Sequence, residues 1–146
     1  MITVSGAYSQ TPTAKGILNK MLVASETIKS AKYSLKKQER IGNALIDSEM
    51  RAKLQCVPYK VYVYNIKPTN GSEVLFCSGE NNGNAVVNPN SFPFVNLKLN
   101  PNNSVLRKEQ HHTLNDLGFN YISNIIKNQI KKDGEKFYAF LKALWL

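Results

Sequence analysis

The run YKVYVYNI at residues 59–66, the linker KPTNG at 67–71 and the run EVLFCS at 73–78 are the clearest structural signal in the sequence. Both outer runs are rich in β-branched and aromatic residues, which favour strands. The Asn70-Gly71 pair between them is the strongest short-range signal of a β-hairpin. These segments therefore predict two antiparallel strands joined by a tight connection.

Alternation within the first of these strands assigns its side chains to two faces. Val61 and Val63 share one face and Tyr62 and Tyr64 share the other, because successive side chains of a strand point to opposite sides. We predict that the valines face the core and that the tyrosines face away from it.

Further strands extend this hairpin in both directions. Alternating or β-rich runs between turn signals predict strands at residues 30–36, 44–56, 85–87 and 92–99, with a further short strand at 104–107. The connections are too short for crossover helices, so the sheet is predicted to be an antiparallel meander of about six or seven strands.

A helix is predicted before the sheet. Thr11-Pro12 is a typical helix start, with Thr11 as the cap and Pro12 at the first helical position. The apolar stripe that follows has helical spacing and predicts a helix over residues 12–29.

Helices are also predicted after the sheet. Thr113 and Asp116 have the spacing of a capping box ahead of a helix over 114–132. Asp133-Gly134 is expected to end that helix. Apolar residues with helical spacing then predict another helix over 137–145.

Length and composition indicate one globular α+β domain, in which an N-terminal helix is followed by a β-meander and then by helix. The 146 residues and the hydrophobic fraction of 42% fit a single core, which we place at residues 12–146. Residues 1–11 are interpreted as the remnant of a secretory signal or as a disordered start. The chain ends abruptly on apolar residues at 144–146, so either this face docks on the sheet or the chain was cut before its natural end.

The charge balance favours an anionic partner. Nineteen Lys and Arg against ten Asp and Glu give a formal net charge of +9, which attracts polyanions in general. The basic residues are scattered and 16 of the 19 are Lys, which suits a solvated surface better than the reading of bases. Tyr62 and Tyr64 beside Lys60 form only a modest stacking patch. Nucleic acid is therefore not expected as a partner.

Catalytic and metal-binding patterns are absent from the sequence, which has no G-x-S-x-G, P-loop, G-x-G-x-x-G or H-E-x-x-H motif. His111 and His112 are adjacent, so on an extended backbone they point to opposite sides and rarely serve one metal ion. We interpret one of them as packed beneath a helix, with a hydrolase that uses either histidine as the alternative. The protein is therefore expected not to be an enzyme, with no catalytic residue, metal or cofactor.

The two cysteines are expected to be structural. Cys56 and Cys77 lie in predicted strands, without a neighbouring His or a flanking basic pair to lower a thiol pKa. A disulfide between them stays open, because it depends on an oxidising compartment.

Four blocks of the sequence resemble a bacterial family of exported proteins of unknown function. They are VPYKVYVY at 57–64, GSEVLF at 71–76, GENNG at 79–83 and LRKEQHHTLNDLG at 106–118. Those proteins resemble in turn the lipoprotein-carrier superfamily, which includes the periplasmic carrier and the outer-membrane receptor of lipoprotein sorting. The resemblance implies a curved antiparallel sheet, an unclosed half-barrel, with helices on its concave side. It also implies an apolar hollow for acyl chains and a location in the periplasm or cell envelope.

The leading functional prediction is a non-enzymatic cell-envelope protein that binds an apolar ligand, such as a lipid or a lipoprotein acyl chain. The positive charge favours an anionic membrane surface as a second partner. The alternative is a structural or protein-interaction domain without a ligand pocket. Apolar side chains on the predicted strands supply the candidate ligand-binding wall: Val61, Val63, Val74, Phe76, Phe94 and Leu97.

Overall fold

A computed structural model describes residues 13–92, 94–108 and 110–143. Contacts divide the chain into a sheet unit, Ile28–Tyr121, and a helical unit, formed by Met1–Thr27 and Ile122–Leu146. The predicted signal-like segment, the Thr11-Pro12 helix start and the apolar end at 144–146 lie outside the described residues.

The sheet unit contains six antiparallel strands, hydrogen-bonded in chain order from first to last. They are β1 (Ser30–Ile41), β2 (Ala44–Gln55), β3 (Lys60–Lys67), β4 (Glu73–Cys77), β5 (Ala85–Asn88) and β6 (Leu97–Leu99). Strands β1 and β6 form the two edges of the described sheet, which is therefore unclosed.

The predicted central hairpin connects β3 and β4. A hydrogen bond closes this connection, in which the backbone N–H of Gly71 donates to the carbonyl oxygen of Asn65 at 2.9 Å. Gly71 has φ +83°, a left-handed conformation that glycine adopts without steric cost. A Cβ at this position would also lie 2.2 Å from the amide nitrogen of Asn90, so the connection requires glycine for two reasons.

Strand β1 is longer than the sequence pattern predicts. It pairs with β2 along its whole length, from Ser30 opposite Gln55 to Ile41 opposite Ala44, around a turn at residues 42–43. Polar residues at 36–40 interrupt the apolar alternation, but backbone pairing with β2 continues because it does not depend on side-chain polarity.

The predicted strands after β5 are partly wrong. Only Leu97–Leu99 of the predicted 92–99 strand pairs, and residues 104–107 form turns rather than a strand. The side-chain oxygen of Asn100 accepts from the Asn102 N–H, and that of Asn103 accepts from the Val105 N–H, each at 2.9 Å. Such local hydrogen bonds compete with a strand ladder for the same backbone groups.

The helix before the sheet is α1 (Ala14–Glu26), which is shorter than the predicted 12–29. Its cap is Thr13, whose hydroxyl oxygen accepts the N–H of Gly16 at 3.1 Å. The helix ends at Thr27, whose backbone N–H donates to the carbonyl oxygen of Ala24.

The helix predicted over 114–132 is broken in two by Gly118. A short 3₁₀ turn, Leu114–Asp116, carries the predicted Thr113–Asp116 capping box, and α2 (Phe119–Asp133) begins after the glycine. Gly118 has φ +112°, and a Cβ there would lie 2.6 Å from Leu54, so the chain turns where it packs closely on the sheet.

The predicted break at Asp133-Gly134 is confirmed, and α3 (Glu135–Ala143) follows it. The α+β fold, with a helix, an unclosed antiparallel sheet and then helices, is confirmed as well. The placement of the helices on a concave side of the sheet stays a prediction, as does the single domain over 12–146. None of the described helices has both the length and the apolar character needed to cross a bilayer.

Candidate functional site

Cross-strand pairing gathers apolar side chains on one face of the sheet, which we call the inner face. Directly paired residues share a face, so the strand register defines rows that run across the sheet. One row consists of Tyr33, Ala52, Val63, Val74, Val87 and Leu97. The neighbouring row includes Ala31, Leu54, Val61 and Phe76.

Four of the six predicted wall residues lie in the middle of these rows. Val61, Val63, Val74 and Phe76 belong to one buried cluster, and each is 8% exposed or less. The prediction that the valines of β3 face the core is confirmed. The structure brings these four together, but it also covers them with the protein's own chain.

Part of that cover is the segment that follows β6. Leu114 belongs to the buried cluster, and Leu106 and Leu117 pack against it. The hydroxyl of Tyr59 holds this segment in place, because it lies 2.6 Å from the carbonyl oxygen of Leu114 and 3.1 Å from that of Leu117. Burial raises the pKa of Tyr59, so its phenol remains a neutral donor.

Of the other two predicted wall residues, Leu97 lies at the end of the row and Phe94 lies in the turn that precedes it. Phe94 is 71% exposed and Leu97 is 39% exposed, and neither belongs to the buried cluster. With Phe92 and Val95, which are also exposed, they form what we call the apolar rim. Large apolar side chains gathered in one short exposed segment are typical of a contact surface for a partner or ligand.

The backbone of the rim explains why the predicted strand over 92–99 begins only at Leu97. Phe94 has φ +57°, a left-handed conformation that costs a bulky residue roughly 1–3 kcal/mol. Its N–H donates to the carbonyl oxygen of Ser91 at 2.7 Å in a turn. Strain of this kind is concentrated at functional sites. Here the strained residue carries an aromatic ring that is exposed to solvent.

The two histidines make separate local contacts. The ring Nε2 of His111 lies 3.0 Å from the carbonyl oxygen of Arg40, so this nitrogen carries the proton, and the His111 backbone N–H donates to Glu39 at 2.8 Å. The Nδ1 of His112 is 3.9 Å from the carboxylate of Asp116, which accepts hydrogen bonds from the Thr113 cap. Both histidines are exposed, so the interpretation that one packs beneath a helix is wrong.

A partly buried ion pair lies beside His111. The ammonium of Lys37 is 2.5 Å from the carboxylate of Glu39 and 3.2 Å from the side-chain oxygen of Gln110. Burial alone raises the pKa of Glu39, but the hydrogen bonds from Lys37 and from the His111 N–H outweigh it, and the net shift is downward. The arrangement joins β1 to the segment after β6.

The two thiols are free: Cys77 is buried and Cys56 is half-buried. No group of three or more His, Cys, Asp and Glu residues among 13–92, 94–108 and 110–143 is placed to hold a metal ion.

A polar hollow of about 320 Å³ lies on the sheet unit, away from the predicted wall. It is lined by Lys36, Lys37, Gln38, Asp47, Ser48, Glu49 and Lys67. Several of these groups satisfy one another: Lys36 is 3.8 Å from Glu49, and the Gln38 amide donates to Asp47 at 2.9 Å. Sequence reasoning missed this hollow because its lining residues come from three different strands, β1, β2 and β3.

Comparison with known proteins gives a family and no function. No significant match was found among curated proteins or among solved structures. A family model described as "Protein of unknown function (DUF1571)" matches residues 28–143, which include the whole sheet unit and most of the helical segment after it. The chain therefore belongs to the DUF1571 family of proteins of unknown function.

Proposed function

We propose that this protein is a non-enzymatic binding protein of the cell envelope whose ligand is apolar, such as a lipid or a lipoprotein acyl chain. The observation that carries this proposal is the continuity of one row of the inner face. The row runs from nearly fully buried Val63 and Val74 to partly exposed Leu97, which belongs to the apolar rim.

The rim is the part of this surface that an incoming ligand meets first. Covering an apolar chain stabilises a complex by about 0.8 kcal/mol for each methylene removed from water. Phe94 and Leu97 supply the accessible contacts, and the buried residues Val61, Val63, Val74 and Phe76 form the floor toward which the chain extends.

Kinship with the lipoprotein-carrier superfamily and a periplasmic location belong to the same proposal. What supports the kinship is the unclosed antiparallel sheet with helices before and after it, because the sequence resemblance implies an unclosed sheet accompanied by helices. Fractionation of cells that express the native open reading frame tests the location. Release of the protein with the periplasmic fraction supports it, and recovery only with the cytosol contradicts it.

Ligand binding is tested with a fluorescent fatty acid and a pair of matched variants. Phe94→Gln with Leu97→Gln removes the exposed apolar contacts of the rim. Leu45→Gln removes an exposed apolar side chain near the start of β2, outside the rim, and serves as the control. We expect about tenfold weaker binding for each rim residue lost, since roughly 1.4 kcal/mol corresponds to tenfold in affinity.

Copurified lipid and the affinity for the fatty acid together test the proposal. Lipid that copurifies with the wild-type protein in native mass spectrometry, and is lost from the rim variant alone, supports it. Wild-type protein that neither carries lipid nor binds the fatty acid contradicts it, and so does equal affinity in the rim and control variants.

A structural or protein-interaction domain is the second candidate. The observation that favours it is that four of the six predicted wall residues are already covered by the protein's own chain. In that case the rim is a protein contact, and the rim variant loses a protein partner in a pull-down while fatty-acid binding is absent from every variant.

A further inference from the structure

Polar groups connect the three helices of the helical unit. The hydroxyls of Ser25 in α1 and Ser123 in α2 lie 2.6 Å apart and are buried. Glu26 of α1 pairs with Lys127 of α2, and Lys15 of α1 pairs with Glu135 of α3 at 2.8 Å. Lys15 also lies 4.9 Å from the centre of the Tyr138 ring.

Apolar side chains of the same helices remain in solvent. Five large ones are between 38% and 61% exposed: Ile17, Met21, Ile122, Ile125 and Phe140. Amphipathic helices of a water-soluble core normally show the reverse arrangement, with the apolar stripe inside. A surface of this extent is expected to meet a partner.

Each helix carries an exposed lysine on the same side as an exposed apolar residue. Lys20 follows Ile17 by three residues, Lys132 follows Ile125 by seven, and Lys136 precedes Phe140 by four. These spacings place the members of each pair on one face of an α-helix. Within the described residues, none of the three lysines has a carboxylate within 4.0 Å.

The charge of the helical unit points to an anionic partner. Residues 13–27 and 122–143 contain seven lysines against three acidic residues, a net charge of +4. The three arginines of the chain lie at positions 40, 51 and 107, all in the sheet unit. Lysine acts as a compact, flexible point charge, which needs no fixed geometry in its anionic partner.

We propose that the helical unit binds the surface of an anionic lipid bilayer. The isoleucines and Phe140 enter the boundary between headgroups and acyl chains, and Lys20, Lys132 and Lys136 reach the phosphates, as in helices that lie in a membrane interface. This contact involves other residues than the apolar rim, and it does not depend on the binding of a lipid there.

The test is cosedimentation of the full chain with phosphatidylcholine vesicles that contain or lack phosphatidylglycerol. Wild type is expected to bind the anionic vesicles and to lose binding as salt rises. A triple variant should weaken binding about a hundredfold, at about fivefold for each lysine. It combines Lys20→Gln, Lys132→Gln and Lys136→Gln. The double variant Ile122→Gln with Ile125→Gln should also bind the vesicles more weakly, but its binding should still decrease as salt rises.

The matched control removes the same charge from the sheet unit. This control lowers the net charge by three, as the triple lysine variant of the helical unit does. It combines Lys32→Gln, Lys53→Gln and Lys98→Gln. Retained binding in this control supports the assignment of the surface. Equal losses in both triple variants overturn it, as does equal binding to neutral and anionic vesicles.

Two further measurements separate this surface from other roles. The Phe94→Gln and Leu97→Gln variant should still sediment with anionic vesicles, so that failure of fatty-acid binding leaves this result intact. Circular dichroism confirms that each variant is folded. If the Ile122 and Ile125 substitutions instead dissolve a dimer and leave vesicle binding unchanged, the exposed face is a contact between copies of the chain and the proposal is wrong.

Discussion

The sheet unit and the helical unit differ in how far their apolar side chains are buried. In the sheet unit, valines and Phe76 are buried in one cluster. In the helical unit, only Leu22 and two serines are buried among the described residues, whereas isoleucines of α2 lie in solvent. Burial of apolar surface is the main source of stability, so the sheet is expected to determine folding, and the apolar surface of the helices is free to serve binding.

The largest expected effect tests the sheet side of this comparison. Phe76→Ala should lower the free energy of unfolding by about 3–5 kcal/mol, because it removes a buried ring that packs against Tyr59. Urea unfolding measures it. Leu75→Ala is the control, since Leu75 lies on the other face and is exposed, and a similar loss there would contradict the assignment of the inner face.

The next effect concerns the segment that covers the sheet. Tyr59→Phe keeps the ring but leaves the carbonyls of Leu114 and Leu117 without their shared donor, at a cost of about 2 kcal/mol in stability. Thermal unfolding compares it with Tyr62→Phe, whose hydroxyl donates to Glu73 on the outer face. A larger loss in the Tyr62 variant would show that Tyr59 does not hold the segment.

The ion pair on β1 adds a pH dependence. The pKa of Glu39 is lowered in the folded protein, so its contribution is present above the ordinary value of 4.5 and is lost as pH falls through the lower folded pKa. Glu39→Gln should cost about 1–2 kcal/mol at neutral pH, because the partner Lys37 loses its charged acceptor. Denaturant unfolding should show wild type and variant converging below pH 4.5, and a constant difference would contradict this origin.

A smaller effect tests the polar interior of the helical unit. The Ser25 hydroxyl donates to the carbonyl oxygen of Leu22, so the single hydrogen of Ser123 must point to Ser25. Ser25→Ala leaves the Ser123 hydroxyl buried and unpaired, at a cost of about 1 kcal/mol, and Ser123→Ala should cost less. The double variant should be nearly neutral. Helix content followed during thermal unfolding checks this, and additive losses would exclude the pairing.

The smallest effect is expected at the exposed helix face. Ile125→Gln should change stability by less than about 0.5 kcal/mol, because a surface substitution removes little buried area. The measurement is the same thermal transition as for the serines. A loss comparable to that of Phe76→Ala would mean that Ile125 belongs to a core, and the contrast between the two units would disappear.

Much of the sheet could be predicted because its signals are local. The β3–β4 hairpin followed from β-branched residues on both sides of Asn70-Gly71, and alternation along β3 correctly assigned Val61 and Val63 to the core. The candidate site was harder to predict. Periodicity treated Phe94 and Leu97 as residues of one strand, but Phe94 lies in a left-handed turn and Leu97 lies at the exposed end of the inner-face row.

The sequence by itself determined the central hairpin, the order of helix, antiparallel meander and helices, and the break at Asp133-Gly134, because those depend on the conformational preferences of neighbouring residues. Tertiary structure decided which apolar residues are covered. It also decided that Gly118 breaks a predicted helix against Leu54 and that Ser25 meets Ser123 across 98 residues of chain. Burial is set by contacts between distant segments, and no local pattern records which segment covers which face.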